Sequence, residues 1–592
     1  MRRLIERWFQ GLATSRRFFP QLREERAGLL WVTLCSLFLV LFDVLRPLPF
    51  AWIIDHGLAP RGGESLGRGQ VIWLGASVAL GVALFAALFQ YGREIGLARI
   101  QHQVTRQIRF RMFSHLTQLS PLFHARHKSG DLLVRLMGDV PMVTSMMVES
   151  TVEVGTRVLV ALCTLGMMVY YDALLAASTL LAIPFLALVM AWASGQIKTA
   201  TRKARRKEGD MADYLHEAIS ATETIQSLGG SAHVVRAFAK SNRSSARAGL
   251  RSAKLAARLS VSVETILGLT TAGVIALGSL RVTQGHLELG ELVAFVSYVR
   301  NLLKPVRTFS KHTERISKGA ACAERLVDVL DQQPDVVDAP DAVDAPVAPR
   351  ELAYERVSFS YPGGTRALDG FQVIFRRGEL SAMVGRNGAG KSTAAALALR
   401  LFDPSAGRVT LDGQPLTALG VASLRSRVGL CLQSTFLFGD TLRENLLIGK
   451  PGATEEELWA ALALAGADQL VRELKEGLDT RLGSSGVGLS GGQKQRISLA
   501  RTLLRQPRVL IVDEPFTGLD RDASRQVART LSELARERIV VVIAHDILAL
   551  EVYDRIVFLE AGKVVAEGRH DELLAREPLY RQVVRTSAGV SA

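Results

Sequence analysis

The chain has 592 residues, too many for one ordinary domain, with 48% apolar and 22% charged residues. The apolar residues gather in the first half, which argues against a soluble protein. A net charge of +15 would suit nucleic acid, but many Arg and Lys flank long apolar segments, where anionic lipid headgroups attract them. Membrane lipids are therefore the expected partner, and nucleic acid is not. Cys35, Cys163, Cys322 and Cys431 are too widely spaced for a disulfide or metal pattern, and the first two, inside apolar runs, read as small buried residues.

In chain order, residues 1–28 are basic and amphipathic and lack the short apolar core and small-residue cleavage site of a removable signal. They predict an elbow helix at the membrane surface. Residues 29–330 predict six spans: 29–54, 71–92, a pair over about 155–195 divided at Asp172, 260–281 and 289–310. Glu264 and Glu291 interrupt the last pair. The long segments 1–28, 93–150 and 196–258 are rich in Arg and Lys, and the loops between them are short. Both termini are thus expected in the cytosol, with helices three to five running well past the bilayer. Asp43 and Arg46, one turn apart in the first span, suit either a local ion pair or a substrate cavity. Pro47, Pro49 and Pro184 read as kinks.

Residues 331–350, DQQPDVVDAPDAVDAPVAPR, are polar, acidic and Pro-rich and read as a linker. Residues 351–592 alternate strand and helix signals, as an α/β domain does. Within them GRNGAGKST, Gly385–Thr393, is a phosphate-binding loop between an apolar strand and a helix. Its members Gly385, Arg386, Asn387, Gly388, Ala389 and Gly390 let backbone N–H groups converge on phosphate. Lys391 should reach the β- and γ-phosphates, with Ser392 on Mg2+ and Thr393 beside the phosphates. RVLIVDEP, 508–515, ends a buried strand with Asp513, placed to organise Mg2+, and Glu514, placed to polarise water.

With these two motifs and LSGGQ at 489–493, the chain resembles the ATP-binding cassette transporters of the exporter-type fold, over both halves. The resemblance implies a multidomain membrane protein, an all-α six-helix transmembrane domain followed by an α/β P-loop NTPase cassette. It implies ATP and Mg2+ as cofactors. Ser490, Gly491, Gly492 and Gln493 of the signature would contact a γ-phosphate, and Gln433 in LCLQSTFLFG would sense Mg2+ and attacking water. Tyr361 in VSFSYPGG would stack on adenine, His545 would act as the switch histidine, and Asp520 in TGLD would lie across the cassette interface. Glu514, His545, Lys391 and Gln433 make up the implied hydrolytic set. FHARHKSGDLLVRLMGDV, 123–140, and YLHEAISATETIQSLGG, 214–230, resemble the intracellular loops that couple cassette to membrane domain.

The pattern departs at GSSG, 483–486, where Ser484 and Ser485 replace the Glu and Arg that many exporter-type members carry, and at Asp546, where Arg is usual. The resemblance implies a half-transporter that works as a dimer, with residues 489–493 closing over ATP held by the partner chain. Export of a lipid, amphipathic small molecule or peptide is expected, from a bacterial plasma membrane with the cassette in the cytoplasm. Leader-peptide processing is not expected. The rival readings are an exporter-fold importer, a soluble cassette ATPase of DNA repair or translation, and an ATP-regulated channel. Six apolar segments oppose the soluble ATPase.

Overall fold

A computed structural model describes residues 16–58, 67–127, 129–433, 435–483, 488–517, 519, 521–544 and 547–587. The chain divides into two compact units, one of Met1–Thr117 and Gly130–Asp331, the other of Gln118–Ser129 and Gln332–Ala592.

The first unit is helical. Among the described residues, five helices are long and apolar enough to cross a membrane: α1 (Arg26–Leu58), α2 (Arg68–Gln118), α3 (Ser129–Tyr171), α4 (Ala173–Ser220) and α5 (Ser231–Thr283). At 51 and 53 residues, α2 and α5 are about 75–80 Å long against a hydrocarbon core of about 30 Å. Each of α2 to α5 is thus longer than such a core is thick. The sixth expected span falls in α6 (Leu289–Leu330), a 42-residue helix that is not among the five. Its apolar run is broken by Arg300 and Lys304, while Phe295, Tyr298 and Val299 are buried among Met168, Leu175 and Val263. A helix that turns its apolar face to neighbouring helices does not need to be apolar all round.

The helix ends have identifiable causes. The first α-helical run of α1 stops at Leu45, and Pro47 starts a second short run, Leu48–Trp52. In α4 the break comes at Leu181, just before Pro184. Asp172, buried between α3 and α4, accepts hydrogen bonds from the backbone N–H groups of Leu174 and Leu175 at 2.9 and 3.0 Å and pairs with Arg281 at 2.8 Å. Glu291 does not interrupt a span: its carboxylate accepts from the Glu288 N–H at 2.9 Å and closes a capping box at the start of α6. No ion pair joins Asp43 to Arg46 among the described residues. The neighbouring Val44 carbonyl accepts from the Tyr298 hydroxyl at 2.8 Å. Cys35 is buried as expected, but Cys163 is exposed, because a bilayer accepts apolar side chains on the outside of a bundle.

The second unit holds two sheets. Strands β1 (Glu351–Ser360), β2 (Arg366–Arg376), β4 (Ala406–Leu411) and β5 (Gln414–Pro415) form an antiparallel sheet in the order β2-β1-β4-β5. The other sheet has the order β10-β9-β3-β8-β7-β6, from β3 (Leu380–Gly385), β6 (Val428–Cys431), β7 (Val509–Asp513), β8 (Ile539–Ala544), β9 (Arg555–Glu560) and β10 (Lys563–Gly568). Its pairings are parallel except β9–β10. Strands of such a sheet are buried on both faces and so read as continuous apolar runs. In β8, Val540 and Val542 enter one core while Ile539, Val541 and Ile543 enter the other, the period of two that separates the faces.

Residues 331–350, read as a linker, are engaged: the Val421 N–H donates to Asp338 at 2.7 Å, the Val343 N–H to the Ala418 carbonyl at 3.0 Å, and Ala345 is buried. The short helix Pro121–Arg126 also belongs to this unit. Leu122 packs against the core that holds Val428 and Ile511, and the Ser120 hydroxyl donates to Asp335.

Candidate functional site

The site is built where the fully buried strand β3 ends. Residues 386–390 turn through two left-handed glycines, Gly388 and Gly390, into α7 (Lys391–Ala398). At Gly390 φ is 101°, and a Cβ would stand 2.5 Å from the Ala367 carbonyl oxygen. At Gly385 a Cβ would stand 2.2 Å from that of Leu559. The loop therefore packs too closely for side chains at either position. Arg386 and Asn387 are exposed, whereas Ala389 is buried and its carbonyl accepts from the Gly562 N–H at 3.2 Å.

The Lys391 ammonium curls back under the loop, donating to the carbonyls of Gly385 at 2.6 Å and Arg386 at 3.1 Å. Burial pushes it below the usual lysine range, opposed by Asp513, Glu514 and Glu560. The Ser392 hydroxyl donates to Asp513 at 3.2 Å. Burial pushes the Asp513 carboxyl above the usual carboxylate range; the Ser392 hydrogen bond opposes this, Glu514 adds to it, and Lys391 opposes it. Thr393 is buried and in hydrogen-bond contact with the Tyr361 hydroxyl at 3.0 Å. The Tyr361 ring stands edge-on to Phe359 at 5.1 Å, so a small aromatic cluster holds it beside the loop.

Glu514 follows β7 with φ 50°, in the left-handed region that a glutamate rarely adopts. Its backbone N–H donates to the Ile543 carbonyl at 2.9 Å. Its carboxylate accepts from the Gln433 amide at 2.7 Å and the Thr517 hydroxyl at 3.1 Å. The buried Gln495 amide donates to the Glu514 main-chain carbonyl and, at 3.4 Å, to that of Asp513. Sequence reading missed Gln495 and Thr517. Thr517 lies three residues beyond Glu514, and Gln495 is an amide on the buried face of the helix after LSGGQ, a signal that patterning alone carries weakly.

That helix, α8 (Gly491–Leu504), starts at Ser490, whose hydroxyl accepts from the Gln493 N–H at 3.3 Å while Gln493 Oε1 accepts from the Ser490 N–H at 2.8 Å. Ser490 and Gly491 are exposed and Gly492 is buried. No hydrogen bond among the described residues joins 490–493 to residues 385–393. The structure thus links Lys391, Ser392, Thr393, Tyr361, Asp513, Glu514 and Gln433 around one loop and leaves the signature turn facing outward. His545, Asp520, Ser484, Ser485 and Asp546 lie outside the described residues.

Residues 29–306 match the family model described as ABC transporter transmembrane region, and residues 368–517 match that described as ABC transporter. The cyclolysin secretion/processing ATP-binding protein CyaB of Bordetella pertussis is 31% identical over 97% of this chain and 79% of its own length. An ATP-dependent lipid A-core flippase of Chromobacterium violaceum is 30% identical over 91% of this chain and 90% of its own. A solved bacterial Atm1-family ABC exporter with ATP bound superposes with a TM-score of 0.81 at 27% identity, covering 96% of this chain and 99% of that one. The chain therefore belongs to the ATP-binding cassette transporters of the exporter-type fold, integral membrane proteins that couple a cytoplasmic ATP-binding domain to ATP-driven transport across the membrane.

Proposed function

We propose that the chain exports an amphipathic substrate as a dimer, with two ATP molecules held between the two cassettes. The observation that carries the hydrolytic part is the network that joins Ser392 to Asp513 and Gln433 to Glu514 around the Lys391 loop. The direction is supported by the relatives, one named for secretion, one for lipid A-core flipping and one for export.

The roles follow from the chemistry of each group. Loop N–H groups from Gly385 to Thr393 bind phosphate, and Lys391 exchanges its carbonyl partners for the β- and γ-phosphate oxygens. Tyr361 offers its ring to adenine. Ser392 and Asp513 present a hydroxyl and a carboxylate within hydrogen-bond distance, a hard-oxygen pair that suits Mg2+ shared with phosphate. Bound Mg2+ would neutralise charge on the transferring phosphoryl group. Glu514, aimed by Gln433 and Thr517, orients the attacking water and takes its proton, and His545 is assigned the γ-phosphate side. Ser490, Gly491, Gly492 and Gln493 close over the partner chain's nucleotide, and Asp520 lies at that interface.

The test is transport by the purified protein in liposomes with an amphipathic substrate. Glu514→Gln should lower ATP hydrolysis and transport together by about 10²–10⁴-fold. Unchanged transport in that variant would sink the mechanism, and accumulation in the opposite direction would overturn export.

A further inference from the structure

A cavity of about 1270 Å³ lies in the groove between α4 and α5. Its lining contains nine Lys or Arg residues and no carboxylate. Six of them, Arg236, Lys240, Arg243, Arg247, Arg251 and Lys254, follow one another along α5 at intervals of three or four. That spacing keeps them on one helix face, and Arg258 extends the row toward the apolar stretch of the helix. The row runs 22 residues, about 33 Å. Across the groove α4 contributes Lys203 and Lys207, and the Thr201 and Ser252 hydroxyls, 2.8 Å apart, tie the two helices together.

Two simpler explanations fall short. A solvated helix face mixes signs to relieve repulsion, yet residues 224–263 contain no Asp or Glu. Of the nine lining cations, Lys207 has a carboxylate partner, Asp210 at 3.2 Å along its own helix. The positive-inside tendency requires charge near the membrane ends but no alignment on one face. Like charges lined up along a shared groove raise the energy of the free protein, and an anion lying along the row would lower it. Arginine predominates, and its planar fork fits phosphate and carboxylate oxygens.

We propose that the α4–α5 groove is a binding site for an elongated ligand bearing several phosphate or carboxylate groups, and that it collects the anionic part of the transported amphiphile. The second clause rests on the transport reading; the first stands alone. The oxyanion groups could belong to a lipid headgroup or to a water-soluble conjugate, and the experiment separates these sources.

The full-length protein is placed in neutral phosphatidylcholine nanodiscs. One arm adds phosphatidic acid to the discs; the other adds the soluble dye pyrene tetrasulfonate, with ATP absent in both. The variant Arg243→Gln/Arg247→Gln/Arg251→Gln should weaken binding at least tenfold in the arm that represents the ligand source. Arg202→Gln/Arg206→Gln, on exposed positions outside the groove, should change it less than twofold. Basal ATPase of the groove variant should stay within twofold of wild type, reporting an intact fold. Without any variant, the bound probe should slow acetylation of Lys203, Lys240 and Lys254 several-fold and leave Lys563 of the cassette unaffected. Equal losses in both variants, or no protection of the three lysines, would overturn the site. Weakened binding alongside a wild type that transports nothing would keep the site and remove the transport reading. Transport of an anionic amphiphile that the groove variant leaves unchanged would remove the groove from the transport cycle.

Discussion

Glu514 sits at φ 50° because four hydrogen bonds hold it there: one from its N–H to the Ile543 carbonyl, two to its carboxylate from Gln433 and Thr517, and one to its own carbonyl from Gln495. A strained backbone persists only where its surroundings over-determine it, so Gln495 should matter through its hold on Glu514. Gln495→Ala leaves two backbone carbonyls without that donor, a loss of about 1–3 kcal/mol. The expected outcome is a roughly tenfold drop in kcat with little change in the KM for ATP; an unchanged kcat would show that Gln495 does not position Glu514. Asp513 makes a pH prediction. Its folded value is raised, so the folded state binds that proton more readily than the unfolded one. The contribution of the protonated group to stability is therefore lost as pH rises from the ordinary 3.8 through the raised value. In the proposed mechanism the ionised form is the one that holds Mg2+, so hydrolysis should fall as pH falls through that same value. Added Mg2+ should move this acid limb to lower pH, and a limb indifferent to Mg2+ would place the titration elsewhere. At this scale the loop and the strand-end carboxylates are legible in sequence, because each motif is contiguous. Gln495 and Thr517 are not, because their worth depends on what their amide and hydroxyl meet.

Helix ends in the membrane unit are decided by close contacts. The N–H of Gly290 donates to Asp55 at 2.6 Å, and a Cβ on Gly290 would stand 2.2 Å from the Ala51 carbonyl oxygen. The start of α6 is thereby pressed against the end of α1. Gly290→Ala should destabilise the unit by roughly 1–3 kcal/mol through overpacking. Gly273→Ala, where a Cβ would meet nothing within 4 Å, should be neutral or slightly stabilising in mid-helix. Thermal unfolding in detergent compares the two, and equal effects would deny the close packing. The apolar runs of α1 to α5 are readable from composition. The part played by Glu291 is not: in sequence it interrupts a span, whereas in the fold it caps a helix. The 331–350 stretch has the same lesson, since Pro and Asp read as linker until Asp338 and Ala345 find partners on the cassette.

For the molecule as a whole, the outward-facing signature turn predicts that a complete ATP site needs two chains. In a twofold dimer, Lys391→Ala and Ser490→Arg each disable both sites when every chain carries the change. A mixed dimer of the two variants keeps one site, formed by the Ser490→Arg chain's loop and the Lys391→Ala chain's signature. Co-expression should therefore recover about a quarter of wild-type ATPase, allowing for random pairing; no recovery would place both elements of a site in one chain. The sequence by itself determined the membrane character of the first half, the α/β cassette after it and the loop and strand-end motifs at 385–393 and 513–514. Each of these is written in hydropathy or in contiguous motifs, which act over a few residues along the chain. Only the tertiary structure decided that Gln433 meets the Glu514 carboxylate and Gln495 its main-chain carbonyl, that Leu122 and Ser120 belong with the cassette, and that the basic rows of α4 and α5 share one groove. Those relations join residues from 19 to more than 200 positions apart, and packing and hydrogen-bond geometry, which no local pattern encodes, bring them together.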